Sequence, residues 1–192
     1  MKKRQKNKKI IVVAIALLLV ISIGYAAIST NLQINGTANI AATSWNVYFT
    51  NIQTTTGSVT PTTAPTTSGT STTSLNYTVV LNNPGDFYEF TVDVKNGGTI
   101  NAKIADNGVT NTAISAADDV YVNYSVTYSG GGTIAAGDKL SKSGATINGV
   151  TDTRTIKVRV EFDPEVTPAQ LNAMGENPIT LNLSFGLNYV QD

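Results

Sequence analysis

Alternation of apolar and polar residues is the main periodicity of this chain, and it predicts strands. Ile156, Val158, Val160 and Phe162 alternate with Thr155, Lys157, Arg159 and Glu161, the pattern of a strand with one buried face. Ile179, Leu181, Leu183, Phe185, Leu187 and Tyr189 alternate with Thr180, Asn182, Ser184, Gly186 and Asn188 over a longer final strand. Val120 to Tyr128, Phe90 to Val94, Ile100 to Ile104, Leu75 to Leu81 and Trp45 to Phe49 show the same period, with a short piece at Ala145 to Ile147. Turn sequences separate them: Asn82-Asn83-Pro84-Gly85-Asp86, Asn96-Gly97-Gly98, Gly130-Gly131-Gly132 and Asn148-Gly149. A helix is signalled once in this part of the chain: Thr167 caps it, Pro168 suits its first position, and Gly175 ends it after Met174. Strands spaced about ten residues apart and separated by turns predict an all-β fold, an antiparallel β-sandwich or jelly roll with one short helix.

Two segments depart from this pattern. Gln53 to Ser74 has 15 Ser or Thr among 22 residues and includes Pro61 and Pro65. It reads as a solvated loop between strands, or as an O-glycosylated tip. Ile28 to Ile40 alternates without a break. Ile28, Leu32, Ile34, Ala38 and Ile40 share one face with Thr30 and Gly36, and Ser29, Asn31, Gln33, Asn35, Thr37 and Asn39 share the other. Such a strand can pair within its own sheet, or it can leave its domain and complete the sheet of a neighbour.

Charge is distributed unevenly. The formal net charge is 0, yet six of the 13 basic residues lie in the first nine positions, and from Ala27 onward seven basic residues face 13 acidic ones, a balance of −6. An acidic body with scattered cations argues against nucleic acid as a partner. The basic start precedes an apolar run, Ile10 to Ile23, and then Gly24-Tyr25-Ala26. That order of charge, apolar core and small residues is an export signal, with Gly24 and Ala26 at the small-residue positions and cleavage before Ala27. Retained and counted on from Gly24 to Ile28, the apolar stretch is 19 residues, about the length that anchors a chain as a membrane helix. Residues 1–26 are therefore a signal peptide or membrane anchor and 27–192 a secreted domain. The membrane is contacted only through the N-terminal segment.

Catalytic chemistry has little to work with. There is no His and no Cys, which excludes disulfides, thiol nucleophiles, Cys/His zinc sites and Ser-His-Asp triads. No phosphate-binding or nucleophile-elbow motif occurs, and neither an enzymatic activity nor a cofactor is expected. Asp118-Asp119 reads as a solvated turn, with calcium ligation as the alternative. Lys95, Lys103, Lys157 and Asn182 lie in predicted strands, where an intramolecular isopeptide bond would need a Lys beside an Asn or Asp.

Several motifs occur in a familiar order. The leader ends in Gly24-Tyr25-Ala26-Ala27-Ile28-Ser29; Trp45-Asn46-Val47-Tyr48-Phe49 follows, then Pro84-Gly85-Asp86, Phe90 to Val94, and Asn96-Gly97-Gly98-Thr99. Together they resemble the TasA/camelysin group of exported proteins of Gram-positive bacteria. The resemblance implies a jelly roll, processing by a SipW-type signal peptidase, and assembly into extracellular biofilm fibres at the cell surface. In that group the N-terminal strand of one subunit completes the sheet of the next, which here implies Ile28 to Ile40 as donor. The chain departs from the group's pattern after the leader, with Ile28-Ser29-Thr30 where Phe-Ser-Asp is usual. The expectation is a structural subunit or accessory of a matrix fibre, self-associating or joining a related subunit. The alternative is a membrane-anchored surface domain that binds a ligand or host surface.

Overall fold

The computed structural model describes residues 11–19, 42–67, 72–111, 114–175 and 178–192. The chain divides into two units, Met1–Ala41 and Ala42–Asp192. In the first, residues 11–19 form a helix, α1, whose Ile11, Val12, Val13, Ile15, Leu17, Leu18 and Leu19 are all exposed. No helix among the described residues is long and apolar enough to cross a membrane. Gly24, Ala26, Ala27 and the alternating segment Ile28, Leu32, Ile34, Ala38 and Ile40 lie outside the described residues.

The second unit is an antiparallel β-sandwich. Its strands are β1 (Val47–Gly57), β2 (Thr63–Thr67), β3 (Ser74–Leu81), β4 (Phe87–Asn96), β5 (Ala102–Asn111), β6 (Val122–Tyr128), β7 (Lys139–Leu140), β8 (Thr153–Phe162) and β9 (Ile179–Gln191). One sheet has the order β1-β4-β8-β6 and the other β2-β3-β9-β5-β7. From β3 onward every connection crosses from one sheet to the other, the winding expected of a jelly roll.

The alternation read from the sequence sets the inner faces. Tyr88, Phe90, Val92 and Val94 of β4 and Ile156, Val158, Val160 and Phe162 of β8 are buried on one sheet. Leu75, Tyr77, Val79 and Leu81 of β3 and the six apolar residues from Ile179 to Tyr189 of β9 are buried on the other. The layers interlock through aromatic rings: Phe49 stacks on Phe185 at 5.7 Å, and Tyr77 meets Phe90 edge-on at 5.1 Å. Each fully buried large side chain contributes roughly 1.5–3 kcal/mol, so this one contiguous core accounts for a sandwich without disulfides.

The helix α2 (Pro168–Met174) forms where it was expected. Thr167 and Gln170 make a reciprocal capping box, Pro168 starts the helix, and the Gly175 N–H closes it on the Leu171 carbonyl at 3.1 Å. Several expectations need correction. The Thr/Ser-rich stretch is not a loop throughout: β1 runs on to Gly57, and β2 occupies Thr63–Thr67. Threonine's β-branch suits an extended backbone without supplying an apolar face. Trp45, Ile100 and Val120 fall outside the strands, and Trp45 and Val120 are exposed. The piece at Ala145 to Ile147 is reduced to a bridge between Ile147 and Val150.

Candidate functional site

The two turn motifs singled out in the sequence bracket β4. Pro84, Gly85 and Asp86 precede it, and Asn96, Gly97, Gly98 and Thr99 close it. Ten residues of extended chain keep them about 30 Å apart, so they form two sites.

The first is a structural corner. Gly85 adopts φ 88°, as the third residue of a turn closed by the Asp86 N–H on the Asn83 carbonyl at 2.9 Å. The Asp86 carboxylate accepts the Asn82 and Asn83 N–H groups at 2.9 and 2.8 Å and the Ser58 hydroxyl at 3.2 Å. Ser58 Oγ in turn accepts the Phe87 N–H at 2.8 Å. Asp86 is committed to holding the β3–β4 corner against the end of β1, and it has little left to offer a cation or substrate.

The second turn has wider consequences. Asn96 continues the inward phase of β4 and is buried, a polar residue where the alternation calls for an apolar one. Its Nδ2 donates to the Ile100 carbonyl at 2.8 Å and its Oδ1 accepts the Gly98 N–H at 2.9 Å, so the side chain shapes the turn from within. The outside of that turn grips the chain just before β1. Gly97 N–H donates to the Asn46 carbonyl at 2.7 Å, Thr99 N–H to the Ser44 carbonyl at 3.0 Å, and Ser44 N–H to Thr99 Oγ1 at 2.8 Å. Gly98 is required by proximity: a Cβ there would lie 2.5 Å from the Ser44 carbonyl oxygen. The Asn96–Thr99 turn thus fixes the point from which the chain enters the sandwich. Alternation could not show this contact, because the partners are 55 residues apart.

The outer face of the first sheet carries a cross-strand charge ladder. Glu89 lies 3.5 Å from Arg159, Arg159 lies 2.7 Å from Glu161, and the guanidinium covers the Phe87 ring at 3.9 Å. Hydrogen bonding to Glu161 pushes the Arg159 pKa up. Such a ladder supports the sheet.

The remaining sequence candidates are dispersed. Asp118 accepts the Ser115 hydroxyl at 2.7 Å within a turn, and no group of three or more metal-binding side chains occurs among the described residues. Lys103 pairs with Asp192 at 3.6 Å and Lys157 with Glu89 at 3.9 Å, all partly exposed to solvent. Asn182 accepts from the Thr78 hydroxyl. Lys103 and Lys157 are therefore paired with carboxylates and not with Asn182, and they are not buried as an isopeptide bond requires. Three surface depressions each hold one carboxylate, Asp192, Asp138 or Asp106, so no acid pair converges there.

A feature the sequence did not reveal lies in the core. Tyr77 of β3 and Tyr124 of β6 bring two hydroxyls together inside the sandwich, and neither has a partner other than the other hydroxyl among the described residues. Burial pushes both phenol pKa values up, and for Tyr77 the nearby Tyr124 adds to the rise. No family model, curated protein or solved structure matches this chain.

Proposed function

We propose that this chain is a secreted structural protein, a subunit of an extracellular fibre that assembles by lending the strand Ile28 to Ile40 to the next copy. The observation that carries the reading is the clamp on Ser44–Asn46. The Asn96–Thr99 turn holds the chain at the rim of a complete sandwich, four residues after the alternating segment ends. A donor strand needs such a launch point, because an anchored exit transmits the attachment to the domain behind it. Assembly is then heterologous and open, which gives filaments and not closed rings. The basic, apolar and small-residue order of residues 2–26 supports export to the cell surface, and the apolar exposed α1 supports a segment that needs a non-aqueous partner.

The test is a truncation. The processed chain should form filaments in negative-stain microscopy and sediment as polymer. The chain lacking Ala27 to Ile40 should remain monomeric, with an unchanged β-sheet spectrum. Filaments at undiminished yield from the truncated chain would refute the reading.

A further inference from the structure

Four strands close the edges of the sandwich, β1 and β6 in one sheet and β2 and β7 in the other. The unpaired N–H and C=O groups of an edge are a template for another strand, and soluble proteins usually spoil that template. Three of these edges are spoiled. β1 is bulged twice, has Asn51 at φ 51°, and commits the Phe49 N–H to the Thr72 carbonyl. β2 has five residues, a register shift and Pro65. β7 has two residues, and the part of β5 it leaves uncovered carries Asp106, Asn107 at φ 56° and a bulge.

Over Val122 to Ser125, β6 has no such device. Its sequence VNYSVTY contains no charge, proline or glycine, and it pairs with β8 in unbroken register from Val122 to Tyr128. The Ser129 N–H donates to the Thr155 carbonyl and the Asp163 N–H to the Tyr121 carbonyl. Odd-numbered residues therefore direct their main-chain groups at β8, and even-numbered ones direct theirs outward. The following hairpin engages Tyr128 through the Gly132 carbonyl and bridges Thr127 to Thr133. The N–H and C=O groups of Val122 and Tyr124 have no main-chain partner among the described residues. Beside them Tyr121, Tyr124 and Val126 are only partly covered apolar side chains.

We infer that the outer edge of β6, over Val122 to Ser125, accepts the segment Ile28 to Ile40 of a second copy. This rests on the donor-strand reading above and names its acceptor. Both strands are uncharged, so pairing them buries no charge. Their faces also agree: the even-numbered donor residues would extend the inner face of Val122 and Tyr124, and the odd-numbered polar ones the outer face of Asn123 and Ser125. Reach selects a second copy. Ser44 is held on the β1 side of the sheet, and four residues from Ile40 to Ser44 span at most about 14 Å. The position outside β6 lies four strand spacings from β1, about 19 Å. Launch point and acceptor thus sit on opposite edges of one sheet, and copies join head to tail.

The chain has no cysteine, so disulfide trapping has no background. Full chains carrying Ser125→Cys, an exposed position, are co-assembled with chains carrying Asn31→Cys, Gln33→Cys or Asn35→Cys, then oxidised and run without reductant. Facing cross-strand residues lie within reach of a disulfide. The expected result is a linked dimer for at least one of these donors, at least tenfold above the yield with Ile34→Cys or with Thr50→Cys on β1 replacing Ser125→Cys. Filaments that form without a Ser125 link, or with the link at Thr50, would overturn the β6 assignment and leave the donor-strand reading standing. Absence of filaments from the unsubstituted chain would overturn both.

Discussion

Gly98→Ala tests the clamp on the entering chain. The added Cβ would stand 2.5 Å from the Ser44 carbonyl oxygen, 3.0 Å from the Asn46 nitrogen and 3.1 Å from Asn96 Oδ1. Ordinary contact begins near 3.4 Å, so the Ser44 carbonyl must retreat by about 0.9 Å. It is backbone and cannot swing aside as a side chain would. The retreat stretches the Thr99 N–H bond to Ser44, now 3.0 Å, and disturbs the Ser44 N–H bond to Thr99 Oγ1. Overpacking costs roughly 1–3 kcal/mol and each weakened hydrogen bond about 1 kcal/mol, so a loss of about 2 kcal/mol is expected. In a domain of this size that lowers Tm by about 4–8 °C. Gly130→Ala is the control. Nothing lies within 4 Å of its added Cβ and its φ is not positive, so reduced freedom of the unfolded chain should stabilise by about 0.4–1 kcal/mol. Urea unfolding of both variants, with hydrogen exchange at Gly97 and Thr99, measures the contrast. Equal stabilities within about 0.5 kcal/mol, or unchanged protection at Thr99 in Gly98→Ala, would refute the clamp.

The buried phenol pair makes a different prediction: Tyr77→Phe combined with Tyr124→Phe should range from neutral to about 1 kcal/mol stabilising, because two buried hydroxyls with no partner but each other are removed together and both rings are kept. A loss of similar size in urea unfolding would mean that the hydroxyls are satisfied. Acid should weaken the 142–153 loop. The Gly144 N–H and the Thr153 hydroxyl, bonded to Asp152 at 2.8 and 3.0 Å, hold its carboxyl below the usual carboxylate range. A folded pKa below the unfolded one means stability that is present above about pH 4 and lost as pH falls through the folded value. Asp152→Asn should therefore flatten the acid limb of a stability–pH curve and leave its slope near neutrality unchanged. An identical acid limb would exclude Asp152 as a contributor.

The strands legible in the sequence are those with both a buried face and a wet one. β8 and β9 are read in the correct phase because every second residue from Ile156 and from Ile179 meets the opposite sheet. β6 is legible too, but its inner face is only partly covered at Tyr124 and Val126, since an edge strand has a neighbour on one side only. β2 escapes notice because Pro65 is its one buried residue, and β7 because two residues have no period. Asn96 is misleading in another way. It is polar on the inward phase, and only the Gly98 and Ile100 main-chain groups folded over it explain its burial. The turn motifs declare themselves as turns through their Pro, Gly and Asn residues. That one of them grips Ser44 is a tertiary fact, invisible to local pattern.

The position of β9 has a bearing on biosynthesis. It is the last of the nine strands to be made, yet it lies in the middle of its sheet, paired with β3 along one side and β5 along the other. Until it arrives, β2–β3 and β5–β7 are separate ribbons and the core lacks Phe185, the ring that stacks on Phe49. A chain that stops short of residue 179 therefore has one sheet complete and the other in two ribbons. The second sheet, and with it the sandwich, closes only once residues 179–191 are added.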